Sequence, residues 1–246
     1  MRKARFATVA AWLLAFGLGG VALAEAITSP VSEAVDPSFD IRSAEVRADG
    51  DLLRFRITVQ GNAGASVPPR TGALPGSQMF AYIWPTNLNS AVAGFPGGQG
   101  TLALALVNHP DLAPDQAAGA AGAGAAGAGA AGAGAAGQWH PHWMVLVPAK
   151  GCGPFGLRVL EGPPPAPGAL PLRFIPAAFS AALTGPAAEV SVPARLLGDA
   201  SRLRFDGLTA TLVITGVDPV TVMCVRPFDV ASGRLTLQGS VTGAGE

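Results

Sequence analysis

The chain has 246 residues, of which 49% are hydrophobic and 13% charged, and its sixteen basic and sixteen acidic residues balance to a formal charge of zero. Nucleic-acid binding needs a concentrated Lys/Arg surface, so this composition argues against a nucleic-acid partner. The 33 glycines and 22 prolines favour short strands joined by turns. The length suits a single all-β domain.

The first 24 residues are predicted to be a cleaved signal peptide. Arg2, Lys3 and Arg5 form a basic start, Phe6–Val21 is apolar, and Ala22-Leu23-Ala24 fits a small-x-small cleavage site. We therefore expect a secreted or periplasmic bacterial protein with no stable membrane insertion after cleavage. Cleavage removes three basic and no acidic residues, which leaves a formal charge of −3. The alternative is a retained anchor, because the apolar run is just long enough to span a bilayer.

The clearest strand pattern lies near the start of the mature chain. Apolar and polar residues alternate in Ile41–Ala48 and Leu52–Gln60, and Asp49-Gly50-Asp51 joins the two runs. A period of two places the apolar side chains on one face of a sheet, and Asp-Gly is a strong hairpin turn signal. The sequence therefore predicts a β-hairpin here.

Short apolar runs bounded by turn residues continue along the chain. They are Met79–Trp84, Thr101–Asn108, Trp143–Val147, Gly156–Leu160, Leu170–Ile175, Glu189–Pro193, Leu208–Ile214, Val220–Arg226 and Arg234–Leu237. Because no segment has a convincing amphipathic helix pattern, we predict an all-β fold, namely a single antiparallel β-sandwich of jelly-roll type with long irregular loops. This domain spans residues 38–240, after an irregular lead-in at 25–37 and before a flexible tail at 241–246.

Residues 117–137 consist only of alanine and glycine. Each glycine in a helix interior costs about 1 kcal/mol relative to alanine, so the frequent glycines argue against a stable helix. The segment is predicted to be a disordered insertion in a surface loop, which a fold tolerates because loop-closure entropy rises slowly with length. A silk-like strand is the alternative.

The three histidines of the chain lie on either side of this insertion. His140 and His142 alternate in the segment Trp139–Met144, so an extended strand would direct both rings to one face. His109 follows the run Thr101–Asn108, which the insertion joins to the other two. Three imidazoles from neighbouring strands are a recurrent zinc or copper site.

Two further residues are candidates for the same shell. Asp111 could be a ligand or orient an imidazole and would favour zinc, whereas the Met144 thioether shares the His140 and His142 face and would favour copper. The alternative interpretation is that the histidines are ordinary polar residues beside a loop and that Met144 fills the core. Pro141 also argues against the site, because proline can disrupt strand geometry.

Cys152 and Cys224 are the only cysteines. An exported chain meets an oxidising compartment, so an even count predicts that they form a disulfide. Two free buried thiols are the alternative. A thiolate metal site is disfavoured, because neither cysteine has a partner at C-x-x-C spacing.

The mature chain has three tryptophans, Trp84, Trp139 and Trp143. Exposed on one face, they could stack on sugar rings, and buried they would be core residues, which is the interpretation we favour. Nucleophilic hydrolysis has no support, since the sequence contains no Gly-x-Ser-x-Gly elbow.

Asp40–Gly61, with its strand, Asp-Gly-Asp turn and second strand, resembles the opening of the DOMON and family-9 carbohydrate-binding superfamily of β-sandwiches. That resemblance implies extracellular haem or sugar binding, and for haem it implies axial ligation by Met79 or Met144 with one histidine.

A second resemblance spans most of the mature chain and is to a group of exported bacterial proteins without a known activity. It rests on the blocks Tyr82-Ile83-Trp84-Pro85-Thr86, His109-Pro110-Asp111, Trp139-His140-Pro141-His142-Trp143, Cys152-Gly153-Pro154, Phe205-Asp206-Gly207 and Ala231-Ser232-Gly233. In that group the segment between His109 and the Trp-His block is acidic and polar. The Ala/Gly tract departs from that pattern, so an ion-binding role of this loop is not expected here.

Three classes of function follow from these observations. A binding module for a copper or zinc ion is favoured, because histidines cluster while no acid, base or nucleophile set does. A carbohydrate- or haem-binding module is the second. A metal-dependent enzyme is the third, since three histidines and an open position could activate water, but no separate general acid or base can be named.

Overall fold

The computed structural model describes residues 26–110, 138–160, 179–216 and 222–243, with the backbone of 173–174. The signal segment and the Ala/Gly insertion lie outside the described residues. The described strands are β1 (Ile27–Thr28), β2 (Ile41–Asp49), β3 (Leu52–Val59), β4 (Gln78–Pro85), β5 (Thr101–Asn108), β6 (Trp139–Pro148), β7 (Leu157–Val159), β8 (Arg173–Phe174), β9 (Ser180–Thr184), β10 (Ala187–Pro193), β11 (Arg204–Phe205), β12 (Leu208–Gly216), β13 (Val222–Val230) and β14 (Gly239–Ser240).

The helical elements of the described part are three single 3-10 turns, Ser90–Ala93, Ala194–Leu196 and Ala200–Arg202. The all-β prediction is therefore confirmed. Within the same residues, no helix has the length and apolar character needed to cross a membrane.

The strands form two large sheets, and the second sheet closes on itself. One sheet has five antiparallel strands in the order β1-β2-β3-β10-β9. The other runs β5-β4-β12-β13-β7-β6, and because β6 also pairs with β5 it forms a six-stranded barrel, with β8 added beside β6. The antiparallel pairing was predicted correctly, but the sandwich is not confirmed.

The predicted hairpin is present as β2 and β3. Burial alternates along β3, where Leu53, Phe55 and Ile57 are fully buried. On the outer face Arg54 pairs with Asp49 at 2.6 Å. Gly50 takes φ = +57° in the turn, a conformation that glycine adopts without a Cβ penalty.

Two apolar cores result from this architecture. The first lies between the five-stranded sheet and the outer face of the barrel, where Phe55 of β3 meets Trp84 of β4 edge to face with ring centroids 6.3 Å apart. The second fills the barrel with inward-facing residues such as Ala81, Ala105 and Leu212. Alternate residues of β4, β5 and β6 thus belong to different cores.

The structure differs from the sequence predictions at Arg234–Leu237 and at β9. Arg234–Leu237 forms no strand, because Leu235 and Leu237 take φ of 57° and 49°, which strand pairing does not allow. Strand β9 was not predicted, since its sequence Ser-Ala-Ala-Leu-Thr lacks large apolar residues. At the end of the described chain, Thr242 exchanges backbone hydrogen bonds with β2, through Val46 and Ala48, at 2.9 and 2.8 Å.

The predicted disulfide between Cys152 and Cys224 is confirmed. It joins the loop after β6 to β13, over a sequence separation of 72 residues. The bond therefore ties two neighbouring parts of the barrel wall together.

Candidate metal centre

Strands β5 and β6 position the three histidines. Their antiparallel register pairs Val107 with His140 and Ala105 with His142. Pro141 does not interrupt the strand, because β6 is continuous from Trp139 to Pro148. His140 and His142 therefore share one face, as the sequence predicted.

That face is the inside of the barrel. Ala105 and Val107 of β5 and Met144 of β6 all belong to the core cluster that fills the barrel. Since side chains alternate along a strand, His140 and His142 continue the inward row that includes Met144. His109 lies two residues beyond the inward Val107, just past the end of β5.

The three imidazoles converge. One nitrogen from each of His109, His140 and His142 can be chosen so that all lie within 4.8 Å of one another. Ring centroids are 4.4 Å apart for His109 and His140, 4.5 Å for His140 and His142, and 5.7 Å for His109 and His142. All three rings are buried, with exposed fractions of 0–2%. The arrangement could hold a metal ion.

The hydrogen bonds of His140 indicate which of its ring nitrogens carries the hydrogen. Its Nδ1 lies 3.0 Å from the backbone carbonyl of Gln138. A carbonyl only accepts, so Nδ1 of His140 carries the hydrogen and Nε2 presents a lone pair. The Nε2 of His109 lies 2.7 Å from the Nε2 of His140 and donates its hydrogen to it. A carbonyl that fixes the outer N–H of an imidazole is the usual support for a metal-ligating histidine.

Burial keeps this pair of imidazoles neutral. Burial, with a smaller contribution from the neighbouring His140, lowers the pKa of His109 to about 4. The pKa of His140 is also lowered by burial, which outweighs the opposing effect of the Gln138 carbonyl. Neutral imidazole is the form that binds a metal, so neither ring must lose a proton near pH 7.

The other candidate ligands are placed differently. Met144 is fully buried in the barrel, two residues after His142 on the same face. Asp111 lies outside the described residues. Met79, which the sequence suggested only as a haem ligand, is fully buried in the same barrel interior. The Gln138 carbonyl had no signal in the sequence, because any residue type offers one.

The three tryptophans do not form a stacking surface. Trp84 and Trp143 are 0% and 4% exposed and belong to the core between sheet and barrel, so neither ring face is open to a sugar. Trp139 is half-buried and packs on Tyr82 with ring centroids 5.1 Å apart. Trp84 and Trp143 therefore lie in the core, as in the interpretation we favoured, and their buried rings are not open for stacking on a sugar.

Comparisons with family models, curated proteins and solved structures found no match. The function must therefore be inferred from the geometry of the three imidazoles.

Proposed function

We propose that this is an exported protein that binds a transition-metal ion, copper or zinc, through His109, His140 and His142. The observation that carries the proposal is the convergence of all three histidines of the chain within 4.8 Å at a buried position. Their imidazoles can supply three nitrogen ligands to one ion.

The energetics of the barrel interior support this function. Burying a polar group in apolar surroundings destabilises a fold unless the group is satisfied, by roughly 1–3 kcal/mol per group in proteins. The three imidazoles beside Ala105 and Val107 are polar rings in an apolar barrel core, where contacts such as the hydrogen bonds of His109 and His140 have to replace the lost hydration. A metal ion offsets this cost, because each nitrogen lone pair gains a ligand bond.

The burial of the histidine cluster favours metal binding over metal-dependent catalysis. A catalytic metal keeps an open position for water or substrate. The cluster is at most 2% exposed, which favours retention of an ion over turnover of a substrate. Export is supported by the basic and apolar start of the sequence and by the disulfide, which forms and persists in oxidising compartments.

Elemental analysis of the purified mature protein tests this proposal. The wild-type protein should carry about one copper or zinc ion per chain after dialysis, and His140→Ala should reduce this stoichiometry to near zero. Val107→Ala is the matched control, because Val107 pairs with His140 across the two strands and fills the same barrel without offering a ligand. Far-UV circular dichroism checks that both variants keep the β-fold.

Two results would contradict the proposal. One is the same metal content in His140→Ala as in the wild type. The other is a wild-type protein that takes up neither metal when it is refolded with an excess of each. If His140→Ala fails to fold, His142→Gln, which keeps a polar side chain of moderate size, gives the same comparison.

A further inference from the structure

The methionines of the chain, like the histidines, are concentrated inside the barrel. Apart from Met1 there are three, Met79, Met144 and Met223, and all three are fully buried in the cluster that fills the barrel. Methionine packs in many apolar settings, yet the large core between sheet and barrel contains none of them. The interior that holds the three imidazoles thus also holds three thioethers.

Strand register places Met79 beside the histidines. The last pair between β4 and β5 joins Phe80 to Asn108, so the next step of the antiparallel register sets Met79 opposite His109. Inward side chains at opposite positions have Cβ atoms roughly 4.5–5.5 Å apart, which an unbranched thioether can span. Met144 lies two residues along β6 from His142, about 7 Å away along the strand. Met223 is paired instead with Ile214 and Val159.

The lining of the barrel favours an ion of low charge. Val107 and Ala105 lie opposite His140 and His142 on the neighbouring strand, and Ala81 lies opposite Val107, so apolar groups of the barrel core adjoin the cluster. The desolvation cost of an ion in a low-dielectric interior rises with the square of its charge, so a monovalent ion costs about a quarter as much as a divalent ion of equal radius. Imidazole and thioether are neutral ligands, and thioether sulfur selects soft Cu(I) over zinc.

We propose that the ion is monovalent copper and that the Met79 thioether joins the three imidazoles in its shell. This inference rests on the metal-binding function proposed above and assigns the metal and one further ligand. The site is therefore a nitrogen and sulfur site for Cu(I), set inside the barrel.

Competition titrations under anaerobic conditions test this assignment. The metal-free protein is titrated with Cu(I) against bicinchoninate, and separately with Zn(II) against a chromophoric zinc chelator. Met79→Leu conserves volume and removes only the sulfur. It should weaken Cu(I) binding on the order of tenfold or more and leave Zn(II) binding unchanged. Met223→Leu is the matched control and should change neither affinity.

X-ray absorption of the Cu(I)-loaded protein gives an independent readout. The wild type should show a sulfur scatterer beside the nitrogens, and this scatterer should be lost in Met79→Leu. Unchanged Cu(I) affinity in Met79→Leu, an equal loss in Met223→Leu, or a copper shell without sulfur would overturn this inference while leaving the three-histidine site intact. If the wild type binds neither Cu(I) nor Zn(II), the proposed function itself fails.

Discussion

A hydrogen bond joins His109 to His140 in the structure, whereas in the proposed metal site both imidazoles would bind one cation. Their Nε2 atoms are 2.7 Å apart, whereas two nitrogens bound to one tetrahedral zinc ion are about 3.3 Å apart. Because the Nε2 of His109 carries the hydrogen of this contact, that hydrogen has to move to Nδ1 and the rings have to separate slightly before both Nε2 atoms can bind one ion. The two nitrogens are therefore already close to the separation that the proposed ion would require.

The stability of the metal-free protein should decrease in mild acid. The pKa of His109 is about 4 in the folded protein and 6.5 without burial, so the unfolded chain binds the proton first as the pH falls. The contribution of His109 is complete above pH 6.5 and is lost between pH 6.5 and 4. One pKa unit corresponds to 1.36 kcal/mol, which gives a loss on the order of 3 kcal/mol.

Urea unfolding of the chelator-treated protein at a series of pH values measures this loss. His109→Asn lacks the titrating ring and should show a flatter dependence across the same interval. Equal slopes in the two proteins would show that burial of His109 does not govern the acid response.

Tyr82, the only tyrosine, joins two loops through its hydroxyl. It donates to the Ser38 carbonyl at 2.8 Å and accepts from the Gly64 N–H at 2.7 Å, and burial raises its pKa well above the ordinary range. Tyr82→Phe leaves both backbone groups without this partner, so we expect a loss of about 1–3 kcal/mol in unfolding free energy. Thr71→Ala, which removes an exposed hydroxyl, should change it by less than about 0.5 kcal/mol in the same denaturant titration.

Gly207 shows how closely the barrel and the five-stranded sheet approach each other. It stands directly before β12, and a Cβ built on it would lie 2.5 Å from the Cβ of Ala44 on β2 and 3.2 Å from that of Ala231. Ala44 is fully buried, and its Cβ cannot rotate away because it is fixed to the backbone.

Gly207→Ala should therefore destabilise the protein by about 1–3 kcal/mol, as overpacking of a core does. Gly151→Ala is the control, because a Cβ at Gly151 meets no atom within 4 Å. Thermal unfolding compares the two variants. A Gly207→Ala melting temperature equal to that of Gly151→Ala would show that the interface between sheet and barrel is looser than the structure indicates.

Individual strands could be predicted from the sequence, whereas their closure into a barrel could not. Alternation in β3 and the Asp-Gly turn are local signals, and both are confirmed. Pairing of β5 with β6 joins segments separated by residues 109–138, and no local pattern fixes that partnership. β5 itself is buried on both faces, so its sequence is apolar throughout and does not reveal which residues line the barrel.

The grouping of the three histidines could largely be predicted from the sequence, because it depends mainly on the geometry of a single strand. His140 and His142 needed only the period of a strand to share a face, and His109 needed only a neighbouring strand. Met79 lies on β4, and the position opposite His109 that we infer for it depends on a pairing between β4 and β5 that spacing alone does not determine.

At the scale of the molecule, the disulfide should matter for stability but not for the metal. A bond that closes a loop over a separation of 72 residues lowers the entropy of the unfolded chain and so raises its free energy by about 4 kcal/mol in the loop-entropy model. The double variant Cys152→Ser, Cys224→Ser should lose a comparable amount in guanidinium unfolding. Its metal content should match that of the wild type, because Cys224 points away from the barrel interior that contains Met223. Loss of the bound ion together with the disulfide would indicate that the bond shapes the site.

The burial of the histidine cluster would also determine how quickly the proposed ion can leave. A chelator cannot touch a ligand set that is at most 2% exposed, so release has to wait for the surrounding structure to open. The rate of metal loss should then become independent of chelator concentration once every opening leads to capture, and it should rise steeply with temperature, as local unfolding does. With the metal-binding function proposed above, the protein would behave as a slow reservoir for the ion rather than as a rapidly equilibrating buffer.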